Sequence, residues 1–258
     1  MDPKVGSPKR QQPRAPPGGD IPPPPTPSLA LAPVIVAFIL IFLTLVYLWT
    51  RKGRRGRAVL IVGPCEAGKT VLFSKLLGGP TVQTVTSLIP NELEYLPANG
   101  RPALVVKDLP GHDRVQIKFW DNNKPSVRGI VCVVDAAAGN KGYPRIREAA
   151  DVLYRVLTDS AVLSSCPSIF IFANKQDQPM SKGSKVIRNQ LEKELTTLRM
   201  TKSATLTSTG GKDSTRILGR PDKDFDFEQI SQIKIEFGEG SALADEGKII
   251  NDWLDSIA

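Results

Sequence analysis

Residues 63–70 read Gly63-Pro64-Cys65-Glu66-Ala67-Gly68-Lys69-Thr70, directly after a short apolar run at 58–62. The segment matches the pattern G-x-x-x-x-G-K-[ST] of a phosphate-binding loop at every position, and a helical pattern begins at its end. Glycines let the backbone approach a phosphate closely, and the N–H groups at the start of the helix face the anion. We therefore expect Lys69 to contact the β- and γ-phosphates of a nucleotide and Thr70 to ligate Mg²⁺. The alternative is a glycine-rich turn that merely starts a helix. The apolar run before the loop and the helical pattern after it disfavour that alternative.

Apolar runs and helical patterns alternate through the rest of the chain. The pattern predicts strands at 58–62, 103–106, 130–134, 168–172 and 233–237, and helices at 70–77, 146–157, 187–198 and 249–257. Such alternation is typical of an α/β fold, in which a mostly parallel sheet is covered by helices on both faces. Residues 201–224 are rich in Ser, Thr, Gly and Lys, and we expect them to form a mobile surface loop.

A second motif, Asp108-Leu109-Pro110-Gly111, lies at the end of the predicted strand at 103–106. A carboxylate at Asp108 can hold Mg²⁺ through water, and the N–H of Gly111 can contact a γ-phosphate. The pattern D-x-x-G is weak alone, because a Pro-Gly turn after a strand is ordinary. Its position at the end of the next apolar run after the phosphate loop supports its assignment to a nucleotide site.

The third motif, Asn174-Lys175-Gln176-Asp177, directly follows the predicted strand at 168–172. The carboxylate of Asp177 can accept hydrogen bonds from both N1–H and the exocyclic amine of guanine, a pair of donors that adenine does not offer. ATP would leave that carboxylate unpaired, which disfavours ATP. We expect Asn174, Lys175 and Asp177 to bind the base.

A fourth segment, Gly240-Ser241-Ala242-Leu243, follows the last predicted strand. A backbone N–H at Ser241 or Ala242 could meet the guanine oxygen. Without the other three motifs, a plain connection between strand and helix would be the default interpretation.

The N-terminal quarter has a different character. Residues 1–28 contain ten prolines and are expected to form a disordered tail. Residues 29–49 are 21 uncharged residues, and a helix of that length spans roughly 30 Å, enough to cross a bilayer. A cleaved signal peptide is disfavoured by the length of the run and the absence of a small-residue cleavage site after it. Residues 50–57 form a basic flank, which places the domain at 58–258 in the cytosol.

The charge distribution and the cysteine spacing disfavour two kinds of site, a nucleic-acid interface and a cysteine metal centre. The net charge is +8, but five cations lie at 51–57 beside the apolar segment, so no direct contact with nucleic acid is expected. The cysteines Cys65, Cys132 and Cys166 are scattered and lack metal-ligand spacing, which suits a reducing compartment. Cys65 lies in the phosphate loop, where simple tolerance is favoured over a redox switch.

The four motifs in this order resemble the small-GTPase superfamily over about residues 58–258, and most closely its Arf-like branch. More narrowly, the chain resembles the β-subunit family of the signal recognition particle receptor, which pairs one N-terminal transmembrane helix with a GTPase domain. The shared features are D-L-P-G-H at 108–112, N-K-Q-D at 174–177, the segments 190–195, 198–199 and 201–204, and the closing pairs at 253–254 and 257–258.

The resemblance implies a P-loop GTPase fold with a mostly parallel six-stranded sheet, preceded by one transmembrane helix. The implied ligands are GTP or GDP with Mg²⁺. The implied role is to recruit the receptor's alpha subunit, through its N-terminal domain, to the endoplasmic reticulum membrane as a heterodimer. The ribosome and the translocon would be met only indirectly.

Hydrolysis is less well specified than binding. His112 occupies the position at which many small GTPases carry a glutamine, so it is either a water-orienting residue or an exposed turn residue of this family. Thr81, Thr84 and Thr86 all lie in the segment expected to supply a switch threonine to Mg²⁺, and the resemblance favours Thr84. No arginine finger can be assigned, so we expect slow intrinsic turnover.

Two other functions are compatible with parts of the sequence. The first is a hydrolytic Arf- or Rab-like switch in vesicle traffic, fixed to its membrane by a helix. The second is a P-loop ATPase or kinase, against which Asp177 argues.

Overall fold

The computed structural model describes residues 28–52, 56–76, 78, 91–111, 113–137, 145–165, 168–209, 217–244 and 247–258. The chain divides into two compact units, Met1–Gly53 and Arg54–Ala258. The predicted tail at 1–28 lies outside the described residues except for Ser28, as do residues 53–55 of the basic flank.

The first unit contains one helix, α1, at Ser28–Lys52. Its described side chains, at 33–46, are exposed and apolar apart from Thr44, whose hydroxyl donates to the backbone carbonyl of Ile41 at 2.8 Å. Across the described part of the chain, none of the helices combines the length and the apolar character that crossing a membrane requires.

The second unit is built on a six-stranded sheet. Its strands are β1 (Ala58–Val62), β2 (Asn91–Tyr95), β3 (Leu104–Asp108), β4 (Val127–Asp135), β5 (Ser168–Asn174) and β6 (Lys234–Glu239). The strand order is β2-β3-β1-β4-β5-β6, and every neighbouring pair is parallel except β2 with β3. The predicted mostly parallel six-stranded sheet is therefore confirmed.

Helices cover both faces of this sheet, as predicted. They are α2 (Lys69–Leu76), α3 (Asp113–Asn123), α4 (Ile146–Thr158), α5 (Ser160–Ser165), α6 (Ser184–Thr209) and α7 (Lys248–Ile257). On one face, α3 to α6 pack on the sheet through residues such as Trp120, Leu153 and Leu191. On the other face, α2 and α7 contribute Leu72 and Trp253. Because both faces are covered, β1 and β5 are buried along their whole length, which explains their unbroken apolar sequences.

The strand order also determines where the motifs lie. β1 lies between β3 and β4, so the chain runs from β1 toward the β2 edge of the sheet and from β3 toward the β6 edge. In such sheets ligands bind outside the carboxyl ends of the strands, at the point where the strand order reverses. The phosphate loop, the segment after β3, the segment after β5 and the segment after β6 all start at this edge.

The segment 201–224 differs in its first part from the predicted loop. α6 continues through Thr209. The hydroxyls of Thr201 and Ser203 each donate to a backbone carbonyl of the preceding turn, at 2.9 Å, so these small polar side chains are accommodated within the helix. A composition rich in Ser and Thr was therefore an insufficient sign of a loop. Residues 210–216 lie outside the described part of the chain.

Arg199 on α6 ties down the second part of that segment. Its side chain is buried, and its guanidinium donates to the backbone carbonyls of Leu218, Arg220 and Lys223 at 3.4, 2.6 and 2.6 Å. Residues 217–224 are thus fixed to the helix by a charged donor that satisfies three carbonyls at once.

Candidate functional site

The phosphate loop at 63–70 connects β1 to α2 in a tightly specified conformation. Gly63 has φ +147°, and a Cβ there would lie 2.4 Å from the carbonyl oxygen of Val133. Gly68 has φ +92°, and a Cβ there would lie 2.3 Å from Nδ2 of Asn174. Both positions therefore require glycine. Glu66 adopts φ +62° without being a glycine, as residues at functional loops sometimes do.

Lys69 lies inside the loop that precedes it. Its side chain is 6% exposed, and Nζ donates to the carbonyl of Pro64 at 2.7 Å. Burial lowers the pKa of the Lys69 ammonium, and the nearby Asp108 carboxylate opposes that shift. Among the described residues the ammonium donates to this one carbonyl, and an ammonium carries three donors, so it can also contact an anion.

The D-x-x-G segment lies over the phosphate loop. A Cβ on Gly111 would lie 2.7 Å from Nζ of Lys69 and 3.0 Å from the backbone N and Cα of Cys65. Cys65 itself is half-buried with a free thiol. Gly111 therefore lies in close contact with the phosphate loop, where a larger residue would have to displace Lys69.

Thr70 and Asp108 form the pair predicted to serve a metal ion. The hydroxyl of Thr70 donates to Oδ2 of Asp108 at 2.8 Å. The other oxygen, Oδ1, is buried and has no hydrogen-bond partner among the described residues. Burial raises the pKa of the Asp108 carboxyl, against the hydrogen bond from Thr70 and the charge of Lys69. An oxygen pair with an orphaned carboxylate atom fits Mg²⁺, a hard cation that prefers oxygen ligands.

Asn174 joins the phosphate loop to the segment after β6. Its Nδ2 donates to the carbonyl of Ala67 at 2.7 Å, and its Oδ1 accepts from the N–H of Ala242 at 2.8 Å. The side chain is buried and both of its polar ends are used. Ala67 and Ala242 are 175 positions apart in the sequence. This one amide fixes the distance between their two loops, which lie at the same edge of the sheet.

Asp177 and Ser241 form the other end of the site. Asp177 is exposed, and its Oδ1 accepts a short hydrogen bond from the hydroxyl of Ser241. That hydrogen bond is the main reason why the pKa of the Asp177 carboxyl is lowered. The backbone N–H of Leu243 donates to the same hydroxyl at 3.2 Å, which orients it toward the carboxylate.

Lys175 is held close by. It adopts φ +68°, and its Nζ donates to Oδ2 of Asp135, the last residue of β4, at 2.7 Å. Asp135 was not among the predicted site residues. Its position at the carboxyl end of a central strand is the signal that could have identified it.

Two further contacts at the phosphate loop were also missed by sequence reasoning. Arg145, directly before α4, forms an ion pair with Glu66 at 2.9 Å. Gln116 on α3 donates to the carbonyl of Gly63 at 3.2 Å. Neither residue belongs to a motif, so the single sequence offers no signal for them.

Four candidate positions are not placed. Thr84, together with its alternatives Thr81 and Thr86, lies outside the described residues, and so does His112. The roles predicted for them stay predictions.

Comparison with known proteins agrees with the resemblance drawn from the motifs. The model of the family described as signal recognition particle receptor beta subunit matches residues 54–233. The signal recognition particle receptor subunit beta of Mus musculus is 40% identical over 240 residues, which cover 88% of this chain and 87% of the relative.

Solved structures show the same relationship. A structure of the mammalian SRP receptor contains a chain 39% identical, with a TM-score of 0.66, covering 78% of this chain and 100% of that one. The SRb-GTP/SRX complex from Chaetomium thermophilum shares the fold at 23% identity, with a TM-score of 0.59 and coverage of 78% and 96%. The chain belongs to the signal recognition particle receptor beta subunit family.

Proposed function

We propose that this chain is a GTP-binding membrane anchor that recruits the receptor's alpha subunit to the endoplasmic reticulum membrane for co-translational protein targeting. The observation that carries this proposal is the Asn174 amide, which joins the phosphate loop at Ala67 to the base-side segment at Ala242. Two half-sites held at a fixed distance suit a ligand with a phosphate group at one end and a base at the other.

The phosphate end would be bound by the N–H groups of residues 63–70, the Lys69 ammonium and the N–H of Gly111. Thr70 and Asp108 would hold Mg²⁺, which supplies charge neutralisation on the phosphates when bound. Lys69 is already buried next to Asp108, so a phosphate adds a second anion to a site that can stabilise the ammonium.

At the end of the proposed site that would bind the base, Asp177 would select guanine over adenine. The lowered pKa of Asp177 keeps its carboxylate ionised at neutral pH, so that it can only accept hydrogen bonds. Guanine presents two donors to such a carboxylate, and adenine does not. Ser241 fixes the orientation of the carboxylate before the ligand arrives.

Hydrolysis belongs to the same proposal. His112 is the candidate for orienting the attacking water, and Thr84 is the candidate threonine for the γ-phosphate side of Mg²⁺. We infer slow turnover without a partner, which suits a subunit whose GTP-bound state is the binding-competent one.

The membrane attachment rests on the sequence at 29–49 and on the basic residues at 50–57. We propose that residues 29–49 cross the membrane once, with the GTPase domain in the cytosol. The alpha subunit would bind as a heterodimer partner through its N-terminal domain. The ribosome and translocon would be reached through the assembled receptor, with no direct contact to nucleic acid.

The nucleotide claim is tested by equilibrium binding of a fluorescent GTP analogue to the full-length chain in detergent, with unlabelled GTP, GDP and ATP as competitors. GTP and GDP should compete and ATP should not. Lys69→Ala should weaken binding about 10-fold or more, because a charge-assisted contact to phosphate is lost. Lys75→Ala, in the last turn of α2, is the matched control and should bind normally. Equal competition by ATP, or unchanged affinity in Lys69→Ala, would contradict the proposal.

A further inference from the structure

Gln116 connects α3 to the first residue of the phosphate loop. Its side chain is 2% exposed, and Nε2 donates to the carbonyl of Gly63 at 3.2 Å. Gly63 cannot shift easily, because its φ is +147° and the carbonyl of Val133 fills the space beside its Cα. Gln116 therefore ties a helix to a fixed point of the site.

The other end of the same amide is unsatisfied. Oε1 of Gln116 is buried and has no hydrogen-bond partner among the described residues. The amide borders a small cavity of about 10 Å³ between α3 and α4, whose other walls include Trp120, Val152 and Val156. A buried oxygen without a donor is unfavourable, so the hydrogen bond to Gly63 is the polar contact that the described residues give this side chain.

α3 is also the element that follows Gly111. Only residue 112 separates Gly111 from the start of α3 at Asp113. Gly111 lies against Lys69 and Cys65 of the phosphate loop, where its N–H would contact a γ-phosphate. The position of α3 therefore sets the position of the backbone group that distinguishes GTP from GDP.

We propose that Gln116 is a positioning residue that holds α3 on the phosphate loop and thereby makes nucleotide affinity sensitive to the γ-phosphate. The inference deepens the proposed function and rests on it. Loss of the Gln116 donor frees α3, so that Gly111 no longer stays in place against the third phosphate. The α- and β-phosphates are bound by the loop itself and are unaffected.

The test compares dissociation rates of fluorescent GDP and of a fluorescent non-hydrolysable GTP analogue from the full-length chain in detergent with Mg²⁺. Gln116→Met keeps the length and volume of the side chain but removes both hydrogen-bonding atoms. It should release the GTP analogue about 5-fold faster or more, and change GDP release by less than about 2-fold, in the range of ordinary coupling between sites. Gln116→Glu keeps the side-chain shape but cannot donate when ionised, and it should show the same selective loss.

Gln190→Met is the matched control, because Gln190 on α6 also has a buried Oε1 without a partner among the described residues. It should leave the ratio of the two rates unchanged even if the melting temperature falls. Equal acceleration of the dissociation of both nucleotides in the Gln116 variants would show a merely structural role and overturn the inference. No acceleration of either dissociation rate would also overturn it. Failure of the unmutated chain to bind either nucleotide would instead overturn the proposed function, and this inference with it.

Discussion

At the scale of single residues, the proposed function assigns the choice of base to Asp177. Its carboxylate is exposed, ionised and oriented by the Ser241 hydroxyl. Asp177→Asn removes the negative charge and replaces one of the two acceptor oxygens proposed to face the guanine N1–H and amine by an NH₂ donor. We expect GTP affinity to fall about 10- to 100-fold, because a hydrogen bond to a charged group is lost. Xanthosine triphosphate, which carries an oxygen in place of the amine, should bind better than to the unmutated chain.

Competition binding with both triphosphates measures this change of preference. Asp222→Asn, at an exposed aspartate on the segment after α6, is the matched control and should leave both affinities unchanged. Full guanine selectivity in Asp177→Asn would show that the base binds elsewhere.

The sequence could predict a shared edge for the motifs because each motif combines a fixed spacing with a strand end. In the structure Asp108, Gly111 and Asn174 lie beside the loop at 63–70, and their roles in nucleotide binding stay predictions. What the motifs could not reveal is how the site is supported. The bridge from Asn174 to Ala242 joins residues 68 positions apart, and such contacts depend on the strand order rather than on local sequence.

At the scale of elements, the turn from β1 into the phosphate loop is specified by backbone geometry. Gly63→Ala would place a Cβ 2.4 Å from the Val133 carbonyl, at φ +147°. The free energy of unfolding should fall by about 2 kcal/mol or more, since both the backbone conformation and the contact are unfavourable. Gly100→Ala is the matched control, because Gly100 also has a positive φ, +71°, but nothing lies within 4 Å of an added Cβ. It should cost about 1 kcal/mol.

Urea denaturation of both variants gives the comparison. Equal losses for Gly63→Ala and Gly100→Ala would mean that the contact with Val133 relaxes, and that the close packing of β1 against β4 is not what requires glycine at position 63.

Arg199 holds residues 217–224 against α6. Arg199→Met removes the donor to three backbone carbonyls while keeping most of the apolar stem. We expect a loss of about 2 kcal/mol in the free energy of unfolding, because three carbonyls, one in a buried contact and two in partly buried contacts, lose a charged partner. Amide hydrogen exchange at 217–224 should also become faster. The exposed Arg220→Met should change neither, and an effect of similar size there would contradict the assignment.

Prediction of elements from sequence succeeded where a strand carries an unbroken apolar run or a clear alternation, as in β6, and failed where apolar residues are few. β1 and β5 are buried throughout, and their apolar runs identified them. β2 reads Asn-Glu-Leu-Glu-Tyr and lies at the sheet edge with only Leu93 and Tyr95 half-buried, so its hydrophobic signal was too weak to predict a strand. α3 was likewise missed, because its sequence is mostly polar.

At the scale of the whole molecule, the GTPase domain depends on two apolar clusters separated by the sheet. They fix the sheet, in which β1, β3, β5 and β6 end at one edge and present the described motif residues there. The parallel arrangement was predictable from the alternation of elements, whereas the strand order was not, because it is set by which helices cover which face.

The central claim is that guanine nucleotide controls attachment of the alpha subunit. The most direct measurement is a pull-down with the full-length chain in detergent, loaded with a non-hydrolysable GTP analogue or with GDP, against the N-terminal domain of the receptor's alpha subunit. We predict binding in the GTP-analogue state and little binding in the GDP state. Equal binding in both states, or none by a chain shown to hold the analogue, would contradict the account.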